Sequence, residues 1–324
     1  MTGAFYLRLA LCLSAVLAQD VAVANEREPV AASTVDRHIT VAGRERGYRL
    51  HLPPMVDRAK ARSLVLVFHG GGGDPAGAER LTRFSELADR EGFIAVYPEG
   101  ISKNWNDGRE YSYSGAFRDE VDDIAFISAL LDVLAGELPL DSRRIYAAGI
   151  SNGAIFTNYL AARLSSKIAA IAPVAGSIAV PFDAQFAPEQ PVSVLMISGA
   201  EDPLVPYRGG GVARGRRGQV IGVEAAIHKW AAANGCVGAP RSGGLPDLDS
   251  ADGCRGFSVT WSDCRHGAAV ALYRLEGGGH TWPRGVQYLP DFIIGKVCKD
   301  FDATTEIWEF FKTHPRPRDG ATQP

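Results

Sequence analysis

The sequence predicts an α/β fold: a mostly parallel central sheet flanked by helices, with an antiparallel hairpin at its N-terminal side. Short apolar runs alternate with segments of helical period along most of the chain. One run, Leu64–Phe68 (LVLVF), is apolar without a break, as a strand covered on both faces requires. With 324 residues, 46% hydrophobic and 22% charged, the chain can bury a large core and does not read as disordered. Its net charge of −3 argues against a nucleic-acid partner, which needs a basic face.

The elements follow in order. Residues 1–24 read as an export signal: Arg8 supplies a positive start, Leu9–Ala18 an apolar run too short to span a bilayer, and Ala22-Val23-Ala24 a small-x-small cleavage site. Cleavage after Ala18 is the alternative. No later stretch reaches membrane-span length, so no membrane anchor is expected. Residues 25–35 are polar and expected to fray. Asp36–Ala42 and Tyr48–Leu52 alternate like a hairpin. Strand Leu64–Phe68 comes next, then a helix over Arg80–Glu91 closed by Gly92, then strand Phe93–Tyr97 stopped by Pro98.

Val121–Leu138 carries an apolar stripe (Ile124, Ile127, Leu130, Leu131, Leu134) and predicts a long helix, with Asp122 and Asp123 as its N-terminal cap and dipole partners. Arg144–Ala148, Ile168–Val174, Val192–Ile197 and Ala268–Leu275 predict strands, while Ala154–Leu164, Val220–Asn234 and Thr304–Thr313 predict helices. One domain over residues 25–314 is expected, followed by a disordered tail over 315–324.

Loss of the signal removes Cys12 and leaves Cys236, Cys254, Cys264 and Cys298. An even count in an exported chain favours disulfides, and four cysteines allow three connectivities. None of the intervals has zinc-finger spacing, so no metal site is expected.

Gly149-Ile150-Ser151-Asn152-Gly153 matches G-x-S-x-G. The motif alone is weak. Here it lies between a predicted strand and a predicted helix, the setting in which a sharp turn exposes a nucleophilic serine. A serine hydroxyl needs a base and an acid to orient that base. Asp202 follows strand 192–197, with Glu201 as its competitor; His280 lies in a Gly-rich loop after strand 268–275. The order Ser151, Asp202, His280 is the one this arrangement requires. The remaining histidines fit less well: His38, His51, His228, His266 and His314 read as packed or solvated. An oxyanion needs backbone N–H donors. Asn152 is one candidate, and the loop His69-Gly70-Gly71-Gly72-Gly73 supplies the other, Gly71 first and Gly72 next. His69 reads as a prop for that loop. No Gly-Lys-Ser/Thr follows, so a phosphate loop is not expected.

These residues resemble the exported esterases of the polyhydroxybutyrate depolymerase and feruloyl esterase group, within the α/β-hydrolase superfamily. The stretches that carry the resemblance run from about Tyr48 to Phe311: FHGGGGDPAG, GFIAVYPEG, VDDIAFISALLD, IYAAGISNGA, IAPVAGSI, ISGAEDPLVPY and GGGHTWPRG. The resemblance implies an α/β-hydrolase fold and catalytic residues at Ser151, Asp202 and His280. It implies a disulfide between Cys236 and Cys264, and no cofactor. Cys254 and Cys298 depart from the pattern and their pairing stays open. The expected partner is an ester substrate, possibly a polymer, and nothing specifies an oligomeric state.

For substrate binding, Trp282 beside His280 and Trp105 in a long polar loop are the candidates, with Tyr111, Tyr113 and Phe117 near the latter. The Gly- and Arg-rich stretch Arg208–Gly218 reads as a solvated loop, with contact to an acidic substrate group as the alternative. Three functions are weighed: hydrolysis of hydroxyalkanoate esters or polyester first, feruloyl or acetyl esters on plant polysaccharide second, and a non-catalytic binding relative third.

Overall fold

A computed structural model describes residues 31–54, 60–110 and 121–317. The signal segment and Tyr111, Tyr113 and Phe117 lie outside the described residues. Ten strands form one sheet in the order β1-β2-β4-β3-β5-β6-β7-β12-β11-β10. Its centre is β4 (Ile94–Pro98), β3 (Arg62–Phe68), β5 (Leu140–Ile150), β6 (Ala170–Val174), β7 (Ser193–Gly199) and β12 (Val270–Glu276), all mutually parallel. Antiparallel strands close both edges: the hairpin β1 (Ser33–Val41) and β2 (Arg44–Leu52) on one side, β11 (Arg255–Trp261) and β10 (Arg241–Gly244) on the other.

The unbroken apolar run in β3 has the expected cause. Leu64, Leu66 and Phe68 belong to the core on one face of the sheet, Val65 and Val67 to the core on the other. The first face is covered by α3 (Asp123–Glu137), α4 (Asn152–Arg163) and α6 (Val223–Ala233); the second by α1 (Pro75–Thr82), α2 (Phe84–Glu91) and α8 (Ala303–Thr313). Short helices α5 (Val180–Asp183) and α7 (Asp291–Ile294) sit in connecting loops.

Three expectations need correction. The helix over Arg80–Glu91 is two helices, broken at Arg83 in the left-handed region (φ 55°). The first begins earlier, where Pro75 takes the first turn and the Asp74 side chain accepts from Gly77 N. It ends where the Thr82 carbonyl is taken by the Thr304 hydroxyl. Residues 33–35 do not fray but pair with His51 and its neighbours. At the other end, Arg316 donates to the Arg143 carbonyl at 2.8 Å, so the first residues after α8 are held. Strands β10 and β11 are additional to those expected: Arg241-Ser242-Gly243-Gly244 is exposed throughout and pairs only at a sheet edge, while β11 carries its own signal in the alternating Phe257, Val259 and Trp261.

Asp122 caps α3 by accepting from Ala125 N at 2.8 Å, as expected. Asp123 does more than face the helix dipole. It is buried against Arg46 at 2.6 Å and accepts from Asn106 N at 2.7 Å, tying α3, the N-terminal hairpin and the 101–110 loop together. Burial pushes its carboxyl above the usual range, and the guanidinium opposes that shift.

Candidate active site

Parallel strands β5, β7 and β12 run in one direction, so the residues following them gather at one edge of the sheet. Ser151, Asp202 and His280 each follow one of these strands.

Ser151 sits between β5 and α4 at φ 60°, ψ −122°, a backbone state that non-glycine residues rarely adopt. The turn is tight on both sides. A Cβ on Gly149 would lie 2.6 Å from the Gly153 carbonyl oxygen, and one on Gly153 would lie 2.4 Å from that of Phe68. The two flanking glycines of the motif are therefore required by close backbone approach. Ser151 N donates to Val174 O at 3.0 Å, which fixes the turn to the neighbouring strand β6.

The glycine loop after β3 crosses directly over this turn. A Cβ on Gly70 would lie 3.4 Å from Ser151 Cβ, and one on Gly71 3.6 Å from Asn152 Cβ. Two of the loop's N–H groups are already engaged: Gly72 N donates to Lys103 O at 2.8 Å and Gly73 N to Gly70 O at 2.9 Å. Gly72 N is thus engaged within the loop, while Gly71 N has no acceptor among the described residues. His69 holds the loop. Its Nε2 accepts from Gly100 N at 3.0 Å, so Nδ1 carries the proton and donates to Gly70 O at 2.8 Å. Burial pushes the imidazole pKa down, in keeping with a neutral ring.

His280 Nδ1 and Asp202 Oδ2 are 2.7 Å apart, and both side chains are buried. The other carboxylate oxygen of Asp202 accepts from Leu204 N and Val205 N at 2.7 and 2.8 Å. These bonds leave the carboxylate one orientation. Glu201, the competitor, is exposed and only its backbone is used, Glu201 N donating to Gly278 O at 3.1 Å. The histidine loop lies against the segment after α7. Gly279 N donates to Lys296 O, His280 N to Ile294 O, and the Tyr288 hydroxyl to His280 O. A Cβ on Gly279 would be 2.3 Å from Ile294 O, which explains the glycine before the histidine.

Two disulfides brace this half of the molecule. Cys236 pairs with Cys264, and Cys254 with Cys298. The second joins the segment before β11 to the segment that supports His280. Cys254, Cys298 and Asp300 cluster, but the two sulfurs are bonded to each other and offer no thiolate to a metal.

The two candidate substrate-binding tryptophans are both core residues, which corrects the expectation for them. Trp282 is 1% exposed, donates from Nε1 to Thr304 Oγ1 at 3.0 Å and packs edge-on against Phe84. Trp105 is fully buried, stacks on Phe156 at 5.0 Å and donates from Nε1 to His69 O at 3.0 Å. Their indole N–H groups find internal partners, so burial costs little polar solvation. Trp105 supports the glycine loop from below instead of facing a substrate.

Sequence reading missed a buried polar chain behind the turn. Asn152 Nδ2 donates to Asp107 Oδ2 at 2.6 Å, while Asn152 Oδ1 accepts from Trp105 N at 2.8 Å. Asp107 pairs with Arg109 at 2.6 Å, and both are buried. Arg109 Nη1 then donates to Arg217 O at 2.8 Å. The available signal was the polar run Asn104–Arg109, in which one acid and one base lie two residues apart.

Comparisons with known proteins place the chain among esterases. The esterase PHB depolymerase family matches residues 46–203. NocK of Nocardia uniformis, which carries an esterase name, is 34% identical over 296 residues, spanning 88% of this chain and 85% of that one. Feruloyl esterase C of Emericella nidulans is 24% identical over 88% of each chain. Feruloyl esterase B of Piromyces equi is 28% identical over 68% of this chain, which spans 40% of that larger protein. Among solved structures, an acetyl xylan esterase from Aspergillus awamori superposes with a TM-score of 0.58 at 14% identity, over 86% of this chain and 99% of that one. That likeness speaks to the α/β-hydrolase fold. The chain belongs to the PHB depolymerase esterase family, and it is a carboxylic ester hydrolase.

Proposed function

We propose that the chain is an exported serine ester hydrolase that works through an acyl-enzyme on Ser151, with short hydroxyalkanoate esters or their polyester as its substrate class. The observation that carries the catalytic reading is the strained Ser151 turn lying under the glycine loop. In the proposed cycle His280 takes the Ser151 hydroxyl proton as the oxygen attacks the ester carbonyl. Asp202 fixes the histidine tautomer through Nδ1 and stabilises the imidazolium. The N–H groups of Asn152 and Gly71 receive the oxyanion. His280 returns the proton to the departing alcohol. Water, deprotonated by the same histidine, then releases the acid and restores the serine.

Three features support export: the N-terminal signal pattern, the two disulfides, and the lack, among the described residues, of a helix long and apolar enough to cross a membrane. The hydroxyalkanoate reading rests on the family match and on the burial of Trp105 and Trp282, which removes these two rings as a platform for a phenolic acyl group. Feruloyl or acetyl ester hydrolysis is the second reading, favoured by the names of the fungal relatives. Parallel assays on polyhydroxybutyrate and its soluble oligomers, on methyl ferulate and on acetylated xylan decide between them. Higher kcat/KM on the hydroxybutyrate esters is expected, and higher kcat/KM on methyl ferulate or acetyl xylan overturns the substrate assignment.

A further inference from the structure

The Arg- and Gly-rich stretch after Asp202 is a built element. Its ends pair as a short antiparallel ladder, β8 (Gly210–Gly211) with β9 (Gln219–Val220). Its tip turns through left-handed residues Ala213, Arg214, Gly215 and Gly218. Val212 N donates to Gly218 O, Arg217 N to Val212 O, and Ala213 N to Leu204 O, the last bond tying the tip to the turn that orients Asp202. On its other side the tip is held by Arg109, whose Nη1 donates to the Arg217 carbonyl. The backbone of Arg217 is thus clamped between the acid turn and the buried chain that starts at Asn152.

The Arg217 side chain, half-buried, reaches back over the glycine loop. Its Nη1 lies 3.2 Å from where a Gly71 Cβ would sit, and the Asn104 amide oxygen lies 3.0 Å from the same point. Among the described residues no carboxylate pairs with this guanidinium; the nearby acid, Asp107, is spent on Arg109. A guanidinium carried on a clamped backbone into a partly desolvated site is a carboxylate receptor. Building on the esterase reading, we propose that Arg217 is a specificity-determining residue that selects esters carrying a carboxylate roughly three to five bonds from the scissile carbonyl carbon. An ester bearing a free chain-end acid has that chemistry, as does a hemiester of a dicarboxylic acid.

Arg217 also lies near the developing oxyanion, an effect that neutral and anionic esters share, so the test reads a ratio. On the acyl side, 4-nitrophenyl hydrogen glutarate is compared with its methyl-capped diester. On the alcohol side, 3-acetoxybutyrate is compared with 3-acetoxybutyramide. Rates are taken above those of Ser151→Ala, which removes spontaneous hydrolysis. For at least one pair the wild-type enzyme favours the carboxylate by about tenfold in kcat/KM, and the pair that responds identifies the side recognised. The preference shrinks as ionic strength rises. Arg217→Gln abolishes it, Arg217→Lys keeps part of it, and Arg214→Gln, on the exposed tip, keeps it in full. Turnover of the neutral esters without a carboxylate preference, or a preference that survives Arg217→Gln, overturns the inference while leaving the esterase reading intact. No turnover on any of these esters overturns the esterase reading and the inference together.

Discussion

The two halves of the candidate site are held by different means. The serine half is made of adjacent backbone: the end of β3, the end of β5 and the first turn of α4, locked by contacts that tolerate only glycine and by the Asn152–Asp107–Arg109 chain. The histidine half is a loop laid over a second loop and stapled by Cys254–Cys298. The first is held by the sheet, the second by long-range ties. The serine half should therefore fail through chemistry and buried charge, and the histidine half through loss of position.

The largest effects test the shared chemistry. Ser151→Ala lowers kcat by at least about 10⁴-fold with an unchanged unfolding midpoint, and His280→Ala lowers it as far while also lowering the midpoint, because it leaves buried Asp202 without its partner. Asp202→Asn lowers kcat by a similar order, since the asparagine favours the wrong histidine tautomer. Steady-state kinetics beside thermal unfolding checks all three, and a variant that keeps a tenth of wild-type kcat has no such role.

The next effect separates the halves. Asp107→Asn leaves Arg109 buried without its counter-charge and costs about 3–5 kcal/mol. It also loosens Asn152, so kcat falls with stability. On the histidine side, the double variant Cys254→Ser/Cys298→Ser costs about 2–4 kcal/mol. Well below its unfolding midpoint it still loses kcat, whereas Cys236→Ser/Cys264→Ser loses stability alone. Equal kcat losses from the two disulfide pairs would remove the distinction drawn between them.

The smallest effect is a pH dependence of stability on the serine side. The His69 pKa is lowered by burial in the folded protein. Below about pH 6.5 the unfolded chain therefore binds a proton that the folded one does not, and stability falls as pH drops through that range. His69→Gln flattens this slope. His314, also pushed down by burial, keeps part of it. Urea midpoints between pH 5 and 7.5 give the slopes, and identical slopes would place the titration elsewhere.

The same contrast decides what could be read from the chain. The Ser151 turn is legible because its constraints are contiguous: strand, glycine, serine, glycine, helix. The order of Asp202 and His280 is legible because each directly follows an apolar strand. The support of His280 by Ile294 and Lys296 is illegible, because nothing local marks which distant segment a glycine loop will cover. Trp105 and Trp282 are hard to place for a related reason. An aromatic in a polar loop looks solvent-facing until its indole N–H is seen bonded to His69 O or Thr304 Oγ1. At the far edge β10 is illegible because Arg241-Ser242-Gly243-Gly244 has no apolar residue and is strand only by pairing with β11, whereas β11 does carry an alternation, Phe257, Val259 and Trp261, that a pattern reading can use.

The central claim, an acyl-enzyme on Ser151, is tested most directly by covalent trapping. Incubation with a fluorophosphonate, then peptide mass spectrometry, should place one adduct on Ser151 and abolish ester hydrolysis in step with labelling. His280→Ala should label far more slowly. Full inactivation with the adduct on another residue, or undiminished hydrolysis by an enzyme labelled at Ser151, would contradict the account.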